Sequence, residues 1–362
     1  MYKVTHQWNK LKTCVVGSAY PPEIFQFIKD KQLRNSFEKL AIETEEDIQK
    51  LVILLQQFGI EVIRPTMPNE FEKFKVANGY IAPPISARDF MCMIDNKLYY
   101  PGLPNVNHAW MEFSDKYKIE KKTNLSQNKD WLNFQKQDKY IFDKKRSFYN
   151  DIFTLALQKG NEVIASPIDY MNSSFITRLG KKMIVGTQNY HDDKQSIKKT
   201  FEEMFPHKEI HVASSEGHSD GCFAPINEGL IISAYEAIDY KKTFPNAEVV
   251  TVPPDVTLKN DKFKTQILTA EHKWFLEGME HNHDLVGMVD HYFNKWIGNV
   301  NETAFMVNIL MLDNKNALCS TDNKQVRKAM KRHGVELHVT PFKHKWFWDC
   351  GIHCLTQDLD RE

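Results

Sequence analysis

The sequence predicts an α/β protein assembled from repeated units, on three observations. A helical stretch, a break and a strand-like run follow one another five times. Short strand pairs with tight turns lie between these units. Polar clusters fall just past the ends of the unit strands. Unequal spacing also leaves open an ordinary α/β domain, in which helix–loop–strand is the commonest connection.

The first unit spans residues 36–58, which have helical periodicity and stop at Gly59, a C-cap residue, before the strand-like run 60–65. Residues 146–159 form the second helix, ended by Gly160 and followed by 162–167. The third runs from Lys194 to Phe205, breaks at Pro206 and leads into 209–213. A fourth breaks at Phe244-Pro245 and continues as 247–253. The fifth covers Lys324 to His333, stops at Gly334 and continues as 335–341. Hairpins are expected at 90–94 with 97–100, at 175–177 with 183–185, and at 304–312 with 317–319. The polar excursion at 121–140 and the segment around His108-Ala109-Trp110 read as a packed surface helix, with a lid over the site as the alternative.

No low-complexity linker divides the 362 residues, so one domain over 1–362 is expected. Lysine plus arginine and aspartate plus glutamate each total 47, and a formal charge of zero argues against a nucleic-acid partner. Hydrophobic residues make up 42%, enough for a sizeable core. The longest apolar run, Met306 to Leu312, is interrupted by Asn308 and falls far below the roughly 20 residues of a membrane helix, so no membrane partner is expected. The first residues turn polar at once, without the apolar core of a signal peptide. Six scattered cysteines suit reduced thiols and a cytoplasmic location.

The polar clusters are Ser86-Ala87-Arg88-Asp89, Asp169 with Asn172, the loop from Glu216 to Cys222, and the run from Trp348 to Cys354. If the units surround an axis, these loops converge at one end, where active sites are usually built. His218 and Asp220 are spaced i, i+2, which puts both on one face of an extended segment. A histidine beside a carboxylate suits acid–base work or cation binding. Cys354 has polar surroundings unusual for a core cysteine, and a thiolate is a strong nucleophile at neutral pH. Cys350-x3-Cys354 has no matching second pair, so no metal site is expected. Phosphate-binding and dinucleotide glycine motifs are absent, as is the serine hydrolase elbow.

Together these residues resemble the guanidino-group modifying enzymes of the amidinotransferase and arginine deiminase (pentein) superfamily. The ending Gly351-Ile352-His353-Cys354-Leu355-Thr356-Gln357-Asp358-Leu359-Asp360-Arg361 is similar to the family's nucleophile motif, with Cys354 at the nucleophile. His218-Ser219-Asp220 matches its His-x-Asp, and Arg88-Asp89 matches an Arg-Asp segment whose aspartate binds the guanidinium. The resemblance implies a five-bladed α/β propeller of ββαβ modules with pseudo-fivefold symmetry. It also implies an amidinotransferase that moves the amidino group of arginine to an amine through an amidino-cysteine intermediate, without a metal or organic cofactor. The implied catalytic residues are Cys354, His218 and Asp169, and the implied substrate-binding residues are Asp89, Asp220, Asn172 and Arg88. A homodimer is expected by the same analogy.

Three positions depart from the family pattern. The carboxylate that supports the histidine falls on Met171, leaving Asp169 or Asn172 for that role. The arginine that holds a glycine acceptor is Ala237 here, and the first glycine before the nucleophile is Cys350. A hydrolase of deiminase or dihydrolase type, with water in place of the amine, is the alternative. A binding protein without turnover is the third reading, resting on Met171.

Overall fold

A computed structural model describes residues 1–67, 75–76, 79–102, 129–168, 171–187, 192–215, 217–234, 239–252 and 305–362. In chain order the elements are β1 (Leu11–Val16), α1 (Lys31–Gln57), β2 (Glu61–Ile63), β3 (Lys75–Val76), β4 (Gly79–Tyr80), β5 (Cys92–Ile94), β6 (Lys97–Pro101), α2 (Lys129–Ser147), α3 (Asn150–Gln158) and β7 (Glu162–Ser166). They continue as β8 (Ile176–Leu179), β9 (Lys182–Gly186), α4 (Lys194–Met204), β10 (Glu209–Ala213), β11 (Phe223–Asn227), β12 (Leu230–Ser233), α5 (Tyr240–Thr243) and β13 (Glu248–Thr251). The last are β14 (Leu310–Met311), β15 (Asn316–Cys319), α6 (Lys324–Arg332), β16 (Glu336–Val339), α7 (Lys345–Trp348), α8 (Ile352–Leu355) and β17 (Thr356–Arg361).

The strands form five three-stranded sheets, β17-β1-β2, β5-β6-β7, β8-β9-β10, β11-β12-β13 and β14-β15-β16, beside the small β3-β4 pair. Each three-stranded sheet follows one rule. Its central strand pairs antiparallel on one side and, after a helical crossover, parallel on the other. The fold is therefore mixed α/β with small sheets, and the repeated grammar is present in all five.

Local chemistry accounts for the helix limits. Asp30 caps α1 by accepting from the Leu33 amide at 2.7 Å, and the helix begins at Lys31, five residues before the expected start. Asp193 and Asn323 cap α4 and α6 in the same way. Gly59, Gly160 and Gly334 lie at φ of +73°, +85° and +74°, the left-handed stop expected of each. The second expected helix is divided, because α2 ends at Ser147 and α3 begins at Asn150. The fourth unit's helix is a single turn. Residues 129–140 of the polar excursion are helical, whereas His108-Ala109-Trp110 and 121–128 lie outside the described residues.

Two pairings were not foreseen. β11 and β12 form a hairpin in a stretch read only for its His-x-Asp loop. β17, at the end of the chain, completes the sheet of β1, at its beginning. The core fills the space between each sheet and its helix. One cluster joins α1 and α3 to β1, a second packs α6 on β12, β13 and β15, and two smaller ones lie around β8–β10 and β11–β12. Among the described residues no helix is long and apolar enough to cross a membrane.

Candidate active site

The run before β17 carries Cys354 on a tightly held backbone. α7 ends at Asp349, whose φ of +47° is left-handed, and Trp348 Nε1 donates to Thr44 Oγ1 of α1 at 2.9 Å. α8 then runs directly into β17. Beneath it, Asp358 is wholly buried among three guanidinium groups. Both its oxygens accept from Arg178 Nη2 at 2.9 and 3.0 Å, Oδ2 accepts from Arg361 Nε at 2.7 Å, and Oδ1 lies 3.4 Å from Arg88 Nη2. Burial alone would raise the Asp358 carboxyl, but the Arg178, Arg361 and Arg88 charges hold it well below the usual carboxylate range. Arg88 also donates from Nε to the His353 carbonyl at 2.6 Å, so the cluster is tied to the backbone next to Cys354.

Cys354 Sγ meets two polar groups from other units. Asn308 Nδ2 donates to it at 2.9 Å, and Sγ lies 3.4 Å from Asp220 Oδ2. Asn308 Oδ1 accepts from the backbone amides of His353 and Cys354 at 2.8 and 3.2 Å. Gly351 makes this approach possible, because a Cβ there would collide with the Asn308 side chain. Burial, the neighbouring Cys350 thiol and the Asp220 charge push the Cys354 thiol well above its ordinary value.

Asp220 occupies a short 3-10 turn, Ser219–Gly221, that follows the left-handed Gly217. The segment is therefore not extended, and alternation of side chains is not what brings His218 and Asp220 to the site. Asp220 Oδ2 accepts from His353 Nδ1 at 2.8 Å, while its buried Oδ1 has no hydrogen-bond partner among the described residues. Burial and the Arg88 charge lower His353 to about 4, so at neutral pH its ring is the uncharged donor. Burial raises the Asp220 carboxyl, but the His353 hydrogen bond outweighs it, and the net shift is downward.

His218 faces Asp89, with Nδ1 3.7 Å from Oδ1, and its ring packs edge-on against Phe175 at 5.0 Å between centroids. Asp89 Oδ1 lies 3.0 Å from Ser174 Oγ, which also makes a short hydrogen bond to Asn172 Oδ1. Burial raises the Asp89 carboxyl against the pull of His218.

The structure thus brings Cys354, Asp220, His218 and Asp89 into one neighbourhood, with Asn172 reaching it through Ser174. Arg88 is only 1% exposed, and its guanidinium is engaged by the His353 carbonyl and Asp358. Met171 is fully buried in the apolar cluster around β8–β10. Asp169, Glu216 and Ala237 lie outside the described residues. Sequence reasoning gave no role to Asn308 and read His353 only as part of the motif that carries Cys354. Asn308 carried a signal, as the one polar residue inside the longest apolar run; the motif that holds His353 carries no sign of its partner, Asp220. Among the described residues no group of three histidine, cysteine, aspartate or glutamate side chains is placed to hold a metal ion.

No family model and no curated protein matches the sequence. Similar solved structures include SxtG, an amidinotransferase from Microseira wollei in the saxitoxin biosynthetic pathway, 15% identical with a TM-score of 0.62 over 100% of this chain and 97% of that one. Another is the inosamine-phosphate amidinotransferase StrB1 from Streptomyces griseus, at 14% identity and a TM-score of 0.60 over 100% and 97%. DDAH from Pseudomonas aeruginosa, complexed with citrulline, is 11% identical with a TM-score of 0.52 over 96% and 99%. The chain shares the fold of these three solved structures.

Proposed function

We propose that the protein is an amidinotransferase acting on arginine, with the five units arranged around a pseudo-fivefold axis as blades of an α/β propeller. The observation that carries the reading is a buried thiol beside a carboxylate with one free oxygen, Asp220 Oδ1, in a neighbourhood that also holds His218 and Asp89. A planar cation with N–H groups on several sides matches such a site. Asp220 Oδ1 and Asp89 accept from the guanidinium, and its positive charge offsets the two carboxylates that disfavour ionisation of Cys354.

The chemistry then balances as follows. Cys354 gives its proton to His218 and forms an Sγ–C bond to the guanidinium carbon. His218 passes that proton to the departing nitrogen as the C–N bond breaks, releasing ornithine. An incoming amine attacks the amidino-cysteine, His218 accepts its proton, and collapse returns the amidino group to the amine and the proton to sulfur. Asp89 is the carboxylate that faces His218, so it holds the ring as well as the cation. Arg88 and Asp358 act below, on the backbone that carries Cys354. The reading includes a cytoplasmic, homodimeric enzyme whose small-molecule partners are the donor and the acceptor amine.

Product analysis with arginine, with and without a panel of amines, tests the reading. Ornithine released in step with a new guanidino compound, only when an amine is present, is the expected result. Citrulline or ammonia formed without an amine would replace the transferase with a hydrolase, and no product from arginine would remove it as donor.

A further inference from the structure

We propose that Asn308 is a catalytic residue, whose side-chain amide stabilises the ionised Cys354 sulfur and so sets how readily the nucleophile forms. The inference rests on Cys354 being the nucleophile of the proposed function. Asn308 is fully buried at the approach to β14, the one polar side chain in an otherwise apolar run. A buried amide is costly unless all its groups are used. Here they are. Oδ1 takes the amide protons of His353 and Cys354, and Nδ2 donates to Cys354 Sγ at 2.9 Å and toward the Asp220 carbonyl at 3.4 Å. Two backbone donors on Oδ1 fix which end is nitrogen, so an N–H, never a lone pair, faces the sulfur.

That orientation has a chemical consequence. A hydrogen bond donated to sulfur strengthens when the sulfur is an anion. His218 is the base that takes the proton in the proposed function, but the carboxylates and the second thiol around Cys354 act the opposite way. Asp220 from its turn, Asp89 from the turn at Ala87–Phe90 and Cys350 from the same loop all oppose ionisation, and His353 is neutral. Arg88 is the nearby cation, but its Nε is held by the His353 carbonyl. Asn308 is therefore a neutral donor placed on the sulfur itself, supplied by a different unit from the one that carries the cysteine. The missing side chain at Gly351 is the space this contact needs.

The test is the pH midpoint of Cys354 alkylation by iodoacetamide in the full chain, read by peptide mass, with Cys354→Ser giving the background of the remaining cysteines. Asn308→Asp keeps the shape and turns an acceptor toward sulfur; Asn308→Ser removes the donor without adding charge. Both should raise the midpoint by about one pH unit or more, a roughly tenfold slower alkylation at a fixed pH below it. An unchanged midpoint in a folded variant overturns the proposal. Should neither variant fold, NMR of the unmodified chain decides. The Asn308 side-chain amide proton should shift with the same midpoint as alkylation, and a signal that stays still through that titration refutes the contact. If wild-type Cys354 gains no amidino group from arginine, the proposed function fails, while the midpoints still decide the role of Asn308.

Discussion

Acidification from pH 7 to pH 5 should destabilise the protein through His353, the residue next to Cys354. Its side chain is 16% exposed and donates Nδ1–H to Asp220. Burial and Arg88 lower it to about 4, against about 6.5 for a free imidazole. Between these values the unfolded chain binds a proton that the folded chain refuses. Stability is therefore present above pH 6.5, falls as the pH drops toward 4, and levels below that. The full shift corresponds to about 3 kcal/mol, of which about 2 kcal/mol is lost by pH 5. The Asp220 carboxyl, lowered from its ordinary 3.8, stays ionised through this window and does not blur it. His6 is also lowered to about 4, and burial lowers His344; both add a loss of the same sign, so a variant must separate His353 from them. Urea unfolding of the wild type and of His353→Asn at both pH values provides that separation. The variant keeps an N–H donor for Asp220 but has no ring to titrate, so it should lose about 2 kcal/mol less than the wild type. Equal losses in the two proteins, or a wild type more stable at pH 5, would refute the buried neutral imidazole.

Two further outcomes follow from the same neighbourhood. Asp358→Asn leaves Arg88, Arg178 and Arg361 buried without their shared counter-charge and should cost about 3–5 kcal/mol, measured as a lowered urea midpoint; a midpoint near the wild type's would show that the cluster is not bearing on stability. Asp89→Asn removes the carboxylate facing His218 and should lower kcat/KM for the donor at least tenfold, about 1.4 kcal/mol of barrier, with the folded spectrum retained; a smaller effect would move the support of His218 to another residue.

The sequence exposes those features of the fold that are local. Gly59, Gly160 and Gly334 end their helices because a left-handed residue is needed there, and the strand Glu209–Ala213 has the expected limits. The start of α1 is set by Asp30, but the polar run after it hides the helical period, so five residues go unread. The pairing of β17 with β1 joins the two ends of the chain, a contact that periodicity carries no trace of. The site divides in the same way. Cys354, His218, Asp89 and Asp220 stand out because each is a reactive group in a polar loop. Their mutual arrangement does not, because it depends on a 3-10 turn where the spacing suggested a strand. The pairing of His353 with Asp220 is unread because that carboxylate is distant in sequence. Arg88 is implied by the resemblance as a substrate-binding residue, whereas the structure shows it almost fully buried with its guanidinium on the His353 carbonyl and Asp358.

The most direct test of Cys354 as the amidino carrier is a single-turnover trap. The purified protein is mixed with arginine labelled in its guanidino carbon, quenched in acid, digested and mapped by mass spectrometry. One labelled amidino group on the peptide containing Cys354, lost when an amine is added before the quench and absent from Cys354→Ser, is the predicted result. Arginine turnover with the label on another residue, or undiminished turnover in Cys354→Ser, would contradict it.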